Sequence, residues 1–403
     1  MILIFKIFKE MEAFTHYTGL HPDTLILLST GGEKLSKDIQ VGDSLIGYNS
    51  TVRKVIHTYS GEDNMFQIVP KKGNPFICNS SHMLTLKGGR PFLAMRMDRI
   101  SQYVIHYTQQ GDPKSRAFKT EEEATVFRSS LPIDDMFDMR LNDFLQKSKT
   151  FKKQTYIFHQ GVNFASHEVP FDPYMIGYWL GDGSSAAAAI TTVDVKVIDY
   201  FNLKLPEYGL QLNTDTTKIT YCISSSGENF RKKRKNIMLN TLKDFNMLNN
   251  KHIPDIYKIN SFDVRLKILA GLIDSDGHNA KNCIEIIQKN IKLSDDIVYL
   301  AFSLGFMVTR VECQKSCMYL GKMREGTYQR MCIFGEGLEH IPTILERKKF
   351  RPRENNKRVT CQSFTAVPLG KGLVNGLILE GDGRFLLNDF TIMKTHSVTA
   401  FES

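Results

Sequence analysis

Leu269–Gly277 reads LAGLIDSDG, and Met175–Gly183 reads MIGYWLGDG. Each is a short apolar run with small residues four apart, Gly271/Ser275 and Gly177/Gly181, and each ends in Asp-Gly. Residues at i and i+4 share one face of a helix. Two such helices can therefore bring their backbones unusually close along a seam of small residues. Their last turns then deliver Asp182 and Asp276 to the same end of the pair. Two converging carboxylates suit a divalent metal acting on a phosphodiester.

The chain has 403 residues, enough for two or three domains. At 42% hydrophobic and 24% charged it reads as globular rather than disordered, and 52 Lys+Arg against 43 Asp+Glu leave a formal charge of +9. That excess favours a polyanionic partner. The seven Cys include one close pair, Cys313 and Cys317, with no matching Cys or His pair nearby. This argues against zinc and for free thiols in a reducing compartment. The opening MILIFKIFKEMEAF is interrupted by Lys6, Lys9 and Glu10. It is too short for a membrane span and reads as a short amphipathic helix. A soluble intracellular protein is expected, in the nucleus or wherever the host keeps its DNA.

The second stretch resembles the motif that names the LAGLIDADG homing endonucleases, and the first resembles the degenerate copy of single-chain members. Helix and strand signals repeat between about Pro170 and Pro352 in one order: motif helix, strand, helix, two strands, helix. Strands are expected at Ala187–Thr192, Ile219–Ser224, Cys283–Gln288, Val308–Cys313 and Thr327–Phe334. Helices are expected at Val195–Tyr208, Asn236–Leu248, Ser294–Leu304 and Leu338–Leu345. The resemblance implies a pseudo-twofold αββαββα saddle over double-stranded DNA, monomeric, with no small-molecule substrate. Asp182 and Asp276 would hold Mg²⁺, with Mn²⁺ as a substitute, because hard oxygen ligands stand there without a His or Cys set. Asp274 lies on another helix face and is not expected to be catalytic.

Lys251, in KHIP, and Lys349, in KKFRP, match by local sequence the lysines that vacuolar-type intein endonucleases place beside the attacking water. Phosphate contact alone is the alternative. Gln288 and Lys289 are secondary candidates near the cleft. The run Arg231, Lys232, Lys233, Arg234, Lys235 reads as a phosphate clamp, a nuclear import signal or a solvated loop. Lys348 and Arg351 join Lys289 as expected DNA contacts.

Around this block lie short β-rich runs with Gly, Asp and Asn turns: Thr24–Leu28, Ser44–Ile46, Val55–Tyr59, Met65–Val69 and Phe76–Leu86, then Gly376–Leu379, Phe385–Leu387 and Phe390–Met393. A turn is expected at Glu62-Asp63-Asn64. The stretches HPDTLIL (21–27), VGD (41–43), NSSH (79–82) and GDGRFLLNDF (381–390), followed by Thr395-His396, resemble the Hint (hedgehog/intein) splicing fold. The expected fold is thus multidomain α+β, an all-β Hint domain split by an inserted LAGLIDADG endonuclease. Six regions are expected in chain order: an N-terminal extension (1–18), the leading Hint segment (19–102), an insert that extends the DNA footprint (103–168), the endonuclease (169–355), the trailing Hint segment (365–397) and a tail (398–403). The resemblance implies that Asn79, His82 and His396 match splicing residues. It also puts Gly19 at the first-nucleophile position, Ser397 at the cyclising-Asn position and Val398 downstream, none of which can serve. No splicing is expected. Two other readings remain open: an intein that still processes itself, and a catalytically silent DNA- or RNA-binding protein of maturase type.

Overall fold

The structure, a computed structural model, describes residues 18–97, 101–214, 219–227, 236–280, 283–319, 322–351 and 358–398. The chain divides into two compact units, residues 1–160 with 361–403 and residues 161–360. The basic run 231–235 lies outside the described residues.

The first unit is built on one long antiparallel pair, Val52–Pro70 against Phe364–Glu380, with partners running from Pro70↔Phe364 to Val55↔Leu379. His396–Val398 adds in parallel beside Phe364–Glu380, while Ser44–Ile46 and Phe76–Asn79 pair with Val52–Pro70. The expected turn at Glu62-Asp63-Asn64 is therefore absent. Those residues pair with Leu373, Gly372 and Lys371, and the distant partner strand overrides the local turn signal. A second sheet runs Met136–Arg140, Met83–Lys87, Ile392–Lys394, Arg384–Leu386. Side chains such as Ile26, Leu45, Val55, Leu86 and Phe385 close the core.

The segment expected as an insert divides in two. Phe92–Met97, Ser101–Gln109 and Asp112–Phe118 form a separate three-stranded meander. Helix Glu121–Ser130 packs on it, Phe127 lying 5.6 Å from the Tyr107 ring and 5.2 Å from Phe118. Thr120 caps that helix, accepting from Glu123 N at 3.2 Å. Met136–Arg140 then returns to the second sheet, and Leu141, Phe144 and Phe151 enter the core of the β unit.

The second unit has two halves, each a motif helix followed by an antiparallel sheet, of three strands in the first and four in the second. Helix Pro173–Asp182 starts at Asp172, which accepts from Met175 N at 2.9 Å, with Pro173 in the first turn. Helix Phe262–Asp276 starts at Ser261. After the first, Ala189–Thr191, Thr220–Ser225 and Leu210–Thr214 form an antiparallel sheet in that order. After the second the order is Gly277–Asn279, Ile284–Gln288, Lys322–Phe334, Met307–Tyr319. Gly183 bridges Ile190 as Gly277 pairs with Ile286, so each motif ends by opening its own sheet. Helices Val195–Lys204 and Ile291–Ser303 bury Val197, Phe201, Ile297 and Leu300.

Three expected helices end early or fail, and one, Asn236–Leu248, stops at Asp244. Val195–Tyr208 becomes a helix to Lys204 and a 3-10 turn with Pro206. Leu338–Leu345 is only a 3-10 turn, Leu338–His340. Pro342 follows it, and the N–H groups of Ile344 and Leu345 go instead to Asp274.

Candidate active site

The two motif helices cross backbone to backbone. A Cβ on Gly271 would stand 2.5 Å from Tyr178 N and 2.8 Å from Gly177 C, and closer still to Tyr174 O. A Cβ on Gly177 would collide with the Ile268 carbonyl. The seam of small residues is thus a steric requirement. One turn on, a Cβ on Gly181 would lie 2.7 Å from Ser275 Cβ and 3.1 Å from Asp276 Oδ2. The last turns are therefore in register, and the two terminal aspartates meet.

Asp182 is half-buried, and its carboxyl is pushed up to about 6, first by burial and then by the charge of Asp276. Asp276 is exposed as a residue, yet burial of its carboxyl by the surrounding protein raises it as well. Gln288 Nε2 donates to Asp276 Oδ2 and opposes that rise. By register Thr192 is the counterpart of Gln288, each lying two residues beyond the pairing of its motif glycine. Thr192 instead meets the Tyr178 hydroxyl at 3.0 Å, so the two halves differ here.

Two lysines close the site with the same geometry. Lys251 Nζ donates to Gly181 O (2.9 Å) and Gly183 O (2.8 Å), the carbonyls on either side of Asp182. Lys348 Nζ donates to Ser275 O (3.4 Å) and Gly277 O, the carbonyls on either side of Asp276. Helix C-termini carry unsatisfied carbonyls and partial negative charge, which is why an ammonium settles there. Burial depresses both lysines, and Arg347 adds to the effect at Lys348. Lys251 also lies 5.2 Å from the Trp179 ring centroid.

The lysine expected in the second half is Lys349, but the side chain at the second helix end is that of Lys348. Lys349 pairs with Glu346 at 2.6 Å on the surface, and its neighbour Lys348, expected only as a DNA contact, points into the site. The 3-10 turn Glu346–Lys348 sets this phase, with Arg347 held bidentately by Asp194 at 2.7 Å. Lys289 and Arg351 are exposed and outside the acidic pair. Three further groups contribute that were not expected in the site: Asp274, within the second motif, and Asp296 and Asn290 beyond it. Asp274 is buried and accepts from Tyr174 Oη (2.8 Å), Ile344 N (2.6 Å) and Leu345 N (3.3 Å). Asp296, also buried, accepts from Ile253 N (2.9 Å) and Lys258 Nζ (2.8 Å). Asn290 Nδ2 donates to Lys251 O at 2.8 Å. Only spacing from the motifs marks the latter two.

The donor set fits a hard divalent cation. The seam offers two carboxylates and backbone oxygens, and among the described residues no group of three His, Cys, Asp or Glu forms a closed metal cage. Such a site leaves coordination positions for water and phosphate oxygens.

In the first unit, Gly19 N donates to Asn79 Oδ1 (3.0 Å), and Asn79 Nδ2 donates to Asp63 Oδ2 (2.7 Å). Tyr59 Oη donates to Thr18 O, and Thr18 Oγ1 lies 3.1 Å from Thr395 Oγ1. His82 is buried, and among the described residues neither ring nitrogen has a hydrogen-bond partner; burial with the nearby His396 pushes it down to about 3. Ser397 is exposed on the strand His396–Val398. A Cβ on Gly19 would lie 2.7 Å from Asn375 O and closer to Val374 Cγ2, so the position is closed to a side chain. Among the described residues Cys78, Cys222, Cys313 and Cys332 are free thiols, and no helix is long and apolar enough to cross a membrane.

Residues 252–333, which hold the second motif, Gln288 and the sheet behind it, match the family model described as Homing endonuclease. Among curated proteins, the chain is 25% identical over 258 residues to the homothallic switching endonuclease of Saccharomyces cerevisiae, covering 54% of this chain and 42% of that protein. It is 31% identical over 164 residues to a replicative DNA helicase DnaB of Mycobacterium intracellulare, covering 39% of this chain and 23% of that protein. The chain thus spans less than half the length of either curated relative. Among solved structures, the homing endonuclease I-DmoI in complex with DNA and Ca matches 40% of this chain and 82% of its own at 15% identity and a TM-score of 0.27. The gp41-1 intein matches 26% of this chain and 86% of its own at 15% identity and a TM-score of 0.16.

Proposed function

We propose that residues 161–360 form a site-specific DNA endonuclease that hydrolyses one phosphodiester on each strand of a duplex. We propose also that the β unit is a Hint scaffold that no longer splices. The observation that carries the first reading is the convergence of Asp182 and Asp276, each straddled by a lysine bound to the carbonyls on both its sides.

In this reading Asp182 and Asp276 hold Mg²⁺, which when bound polarises the phosphate and lowers the pKa of the attacking water. Lys251 and Lys348 orient that water or balance the charge that develops at phosphorus. Gln288 fixes the Asp276 carboxylate in one orientation. The open faces of the two sheets offer alternating side chains for base reading in the major groove, and exposed Lys289 and Arg351 offer phosphate contacts. The loss of splicing follows from chemistry: Gly19 has no nucleophile, Ser397 cannot cyclise, and Val398 cannot accept an acyl group.

The test is a plasmid carrying the genomic sequences that flank the coding region, joined without it. With Mg²⁺ the chain is expected to linearise it. Excess EDTA, Asp182→Asn, Lys251→Ala and Lys348→Ala should each abolish or strongly slow linearisation, while Lys349→Ala should not. Linearisation that continues in EDTA, or that survives Asp182→Asn, overturns the assignment.

A further inference from the structure

Each lysine of the acidic pair sits on an irregular strap, and each strap is tied down by one buried aspartate. Lys348 follows Ile344 and Leu345, whose N–H groups both donate to Asp274. Lys348 N then donates to Leu345 O at 2.8 Å, which passes the constraint along the turn. Lys251 precedes Ile253, whose N–H donates to Asp296, and Asn290 holds the Lys251 carbonyl itself. Asp274 is 2% exposed and Asp296 6%, so neither can touch DNA. A buried carboxylate that accepts backbone N–H groups holds a strap that otherwise lacks helix or sheet bonds.

We infer that Asp274 and Asp296 are positioning residues, one for each cleavage centre. Asp274 sets Lys348 against the Asp276 end of the seam, and Asp296 with Asn290 sets Lys251 against the Asp182 end. This rests on the endonuclease reading and adds to it that the two strand cleavages are supported by separate tethers. An Asn at 274 keeps the volume but turns an NH₂ towards Ile344 N or Leu345 N whichever way it flips, while at 296, where Lys258 Nζ takes the second oxygen, only removal of the carboxylate frees Ile253 N, so in each case the strap must shift. A displacement of about 1 Å at a reacting centre costs roughly a hundredfold in rate.

The experiment uses the full chain, Mg²⁺ and the same flank-joined plasmid, followed from supercoiled through nicked to linear, with an end-labelled duplex to identify the strand cut. Asp274→Asn is expected to accumulate nicked plasmid, one strand slowing about 10- to 100-fold and the other keeping its rate. Asp296→Ala, which leaves Ile253 N no acceptor at that position, should slow the opposite strand. Asp274→Asn combined with Lys348→Ala should cut no more slowly than Lys348→Ala alone, because the tether acts only through that lysine. In each variant the spared strand reports that the fold is intact. Both strands slowing alike, both variants slowing the same strand, or a double variant slower than the single lysine change overturns the inference. A wild-type chain that leaves the duplex uncut overturns the endonuclease reading before any variant is made.

Discussion

Gly271→Ala puts the seam itself to the test. In an exposed helix this change gains about 1 kcal/mol, because alanine gives up less backbone freedom on folding and suits the helix better. Here the added Cβ would lie 2.5 Å from Tyr178 N and 2.8 Å from Gly177 C. Non-bonded carbon contacts settle at about 3.5 Å or more, so the helices must part by roughly 1 Å where they cross. The obstructing atoms are backbone on both helices, and no side-chain rotation relieves them. Overpacking of this kind costs about 1–3 kcal/mol, occasionally more. Separation also loosens dispersion contacts along both helices, since a gap of about 0.5–1 Å forfeits a quarter to a half of each. After the propensity gain, a net loss of about 2 kcal/mol is expected. For a unit of this size that lowers the melting temperature by about 4–8 °C. Cleavage should fall further than stability implies, because the same spreading separates Asp182 from Asp276. The assays are thermal melting by circular dichroism and the plasmid cutting rate. Gly61→Ala is the control, since nothing lies within 4 Å of a Cβ built there. A Gly271→Ala chain that melts with wild type and cuts at the wild-type rate would refute the claim that this close crossing sets the site.

The pH dependence follows from Asp182, whose ordinary value of 3.8 is raised to about 6 in the folded chain. The folded state then binds the proton more tightly than the unfolded state. The metal-free chain should therefore lose this contribution to stability as pH rises from 3.8 to about 6, while Mg²⁺-dependent cleavage should rise through the same window. Asp182→Asn should reduce the slope of melting temperature across the window, leaving the part that the raised Asp276 and Asp274 supply, and an unchanged slope would place the Asp182 titration elsewhere. In the first unit, the chain expressed between two tags should yield neither ligated nor cleaved product on a gel. Gly19→Cys alone should not restore thiol-dependent release of the upstream tag, because Val374 and the Asn375 carbonyl occupy the space its Cβ needs. Release by that single variant would show that the position is not closed.

What the sequence made legible was whatever a helical period controls. Small residues four apart fix which faces meet, and an Asp one residue beyond fixes where the carboxylates fall, so the seam needed no knowledge of distant partners. The lysine in the second half was different. Residues 341–349 have no period, and whether Lys348 or Lys349 turns inward depends on the phase of one 3-10 turn and on Glu346 capturing Lys349. The expected helix at 338–345 failed for a related reason, since Ile344 and Leu345 give their N–H groups to Asp274 rather than to carbonyls four residues back. Likewise Glu62-Asp63-Asn64 carries turn residues but sits within a 19-residue strand, since its partner, Phe364–Glu380, lies beyond the whole endonuclease block. Local signals mislead where a long-range bond is the stronger competitor.

That competition also explains the charge arrangement at the seam. Two carboxylates meeting at two helix C-termini are disfavoured twice over, by each other and by the negative ends of both helices. The two ammonium groups bonded across the helix ends relieve the carbonyls and some of the repulsion. They do not relieve all of it: Asp182 still sits at about 6, first through burial and then through the charge of Asp276 that the two lysines leave unbalanced. A site held by fixed charges that leave negative potential uncompensated is poised for a small, hard dication. The same excess makes an empty site hostile to a phosphate backbone, so metal and DNA should bind in linked fashion, each strengthening the other. Measuring DNA affinity with and without Ca²⁺, at matched ionic strength, distinguishes this from simple screening: screening by a matched salt leaves the two affinities equal, whereas linkage makes the Ca²⁺ complex tighter and abolishes the difference in Asp182→Asn.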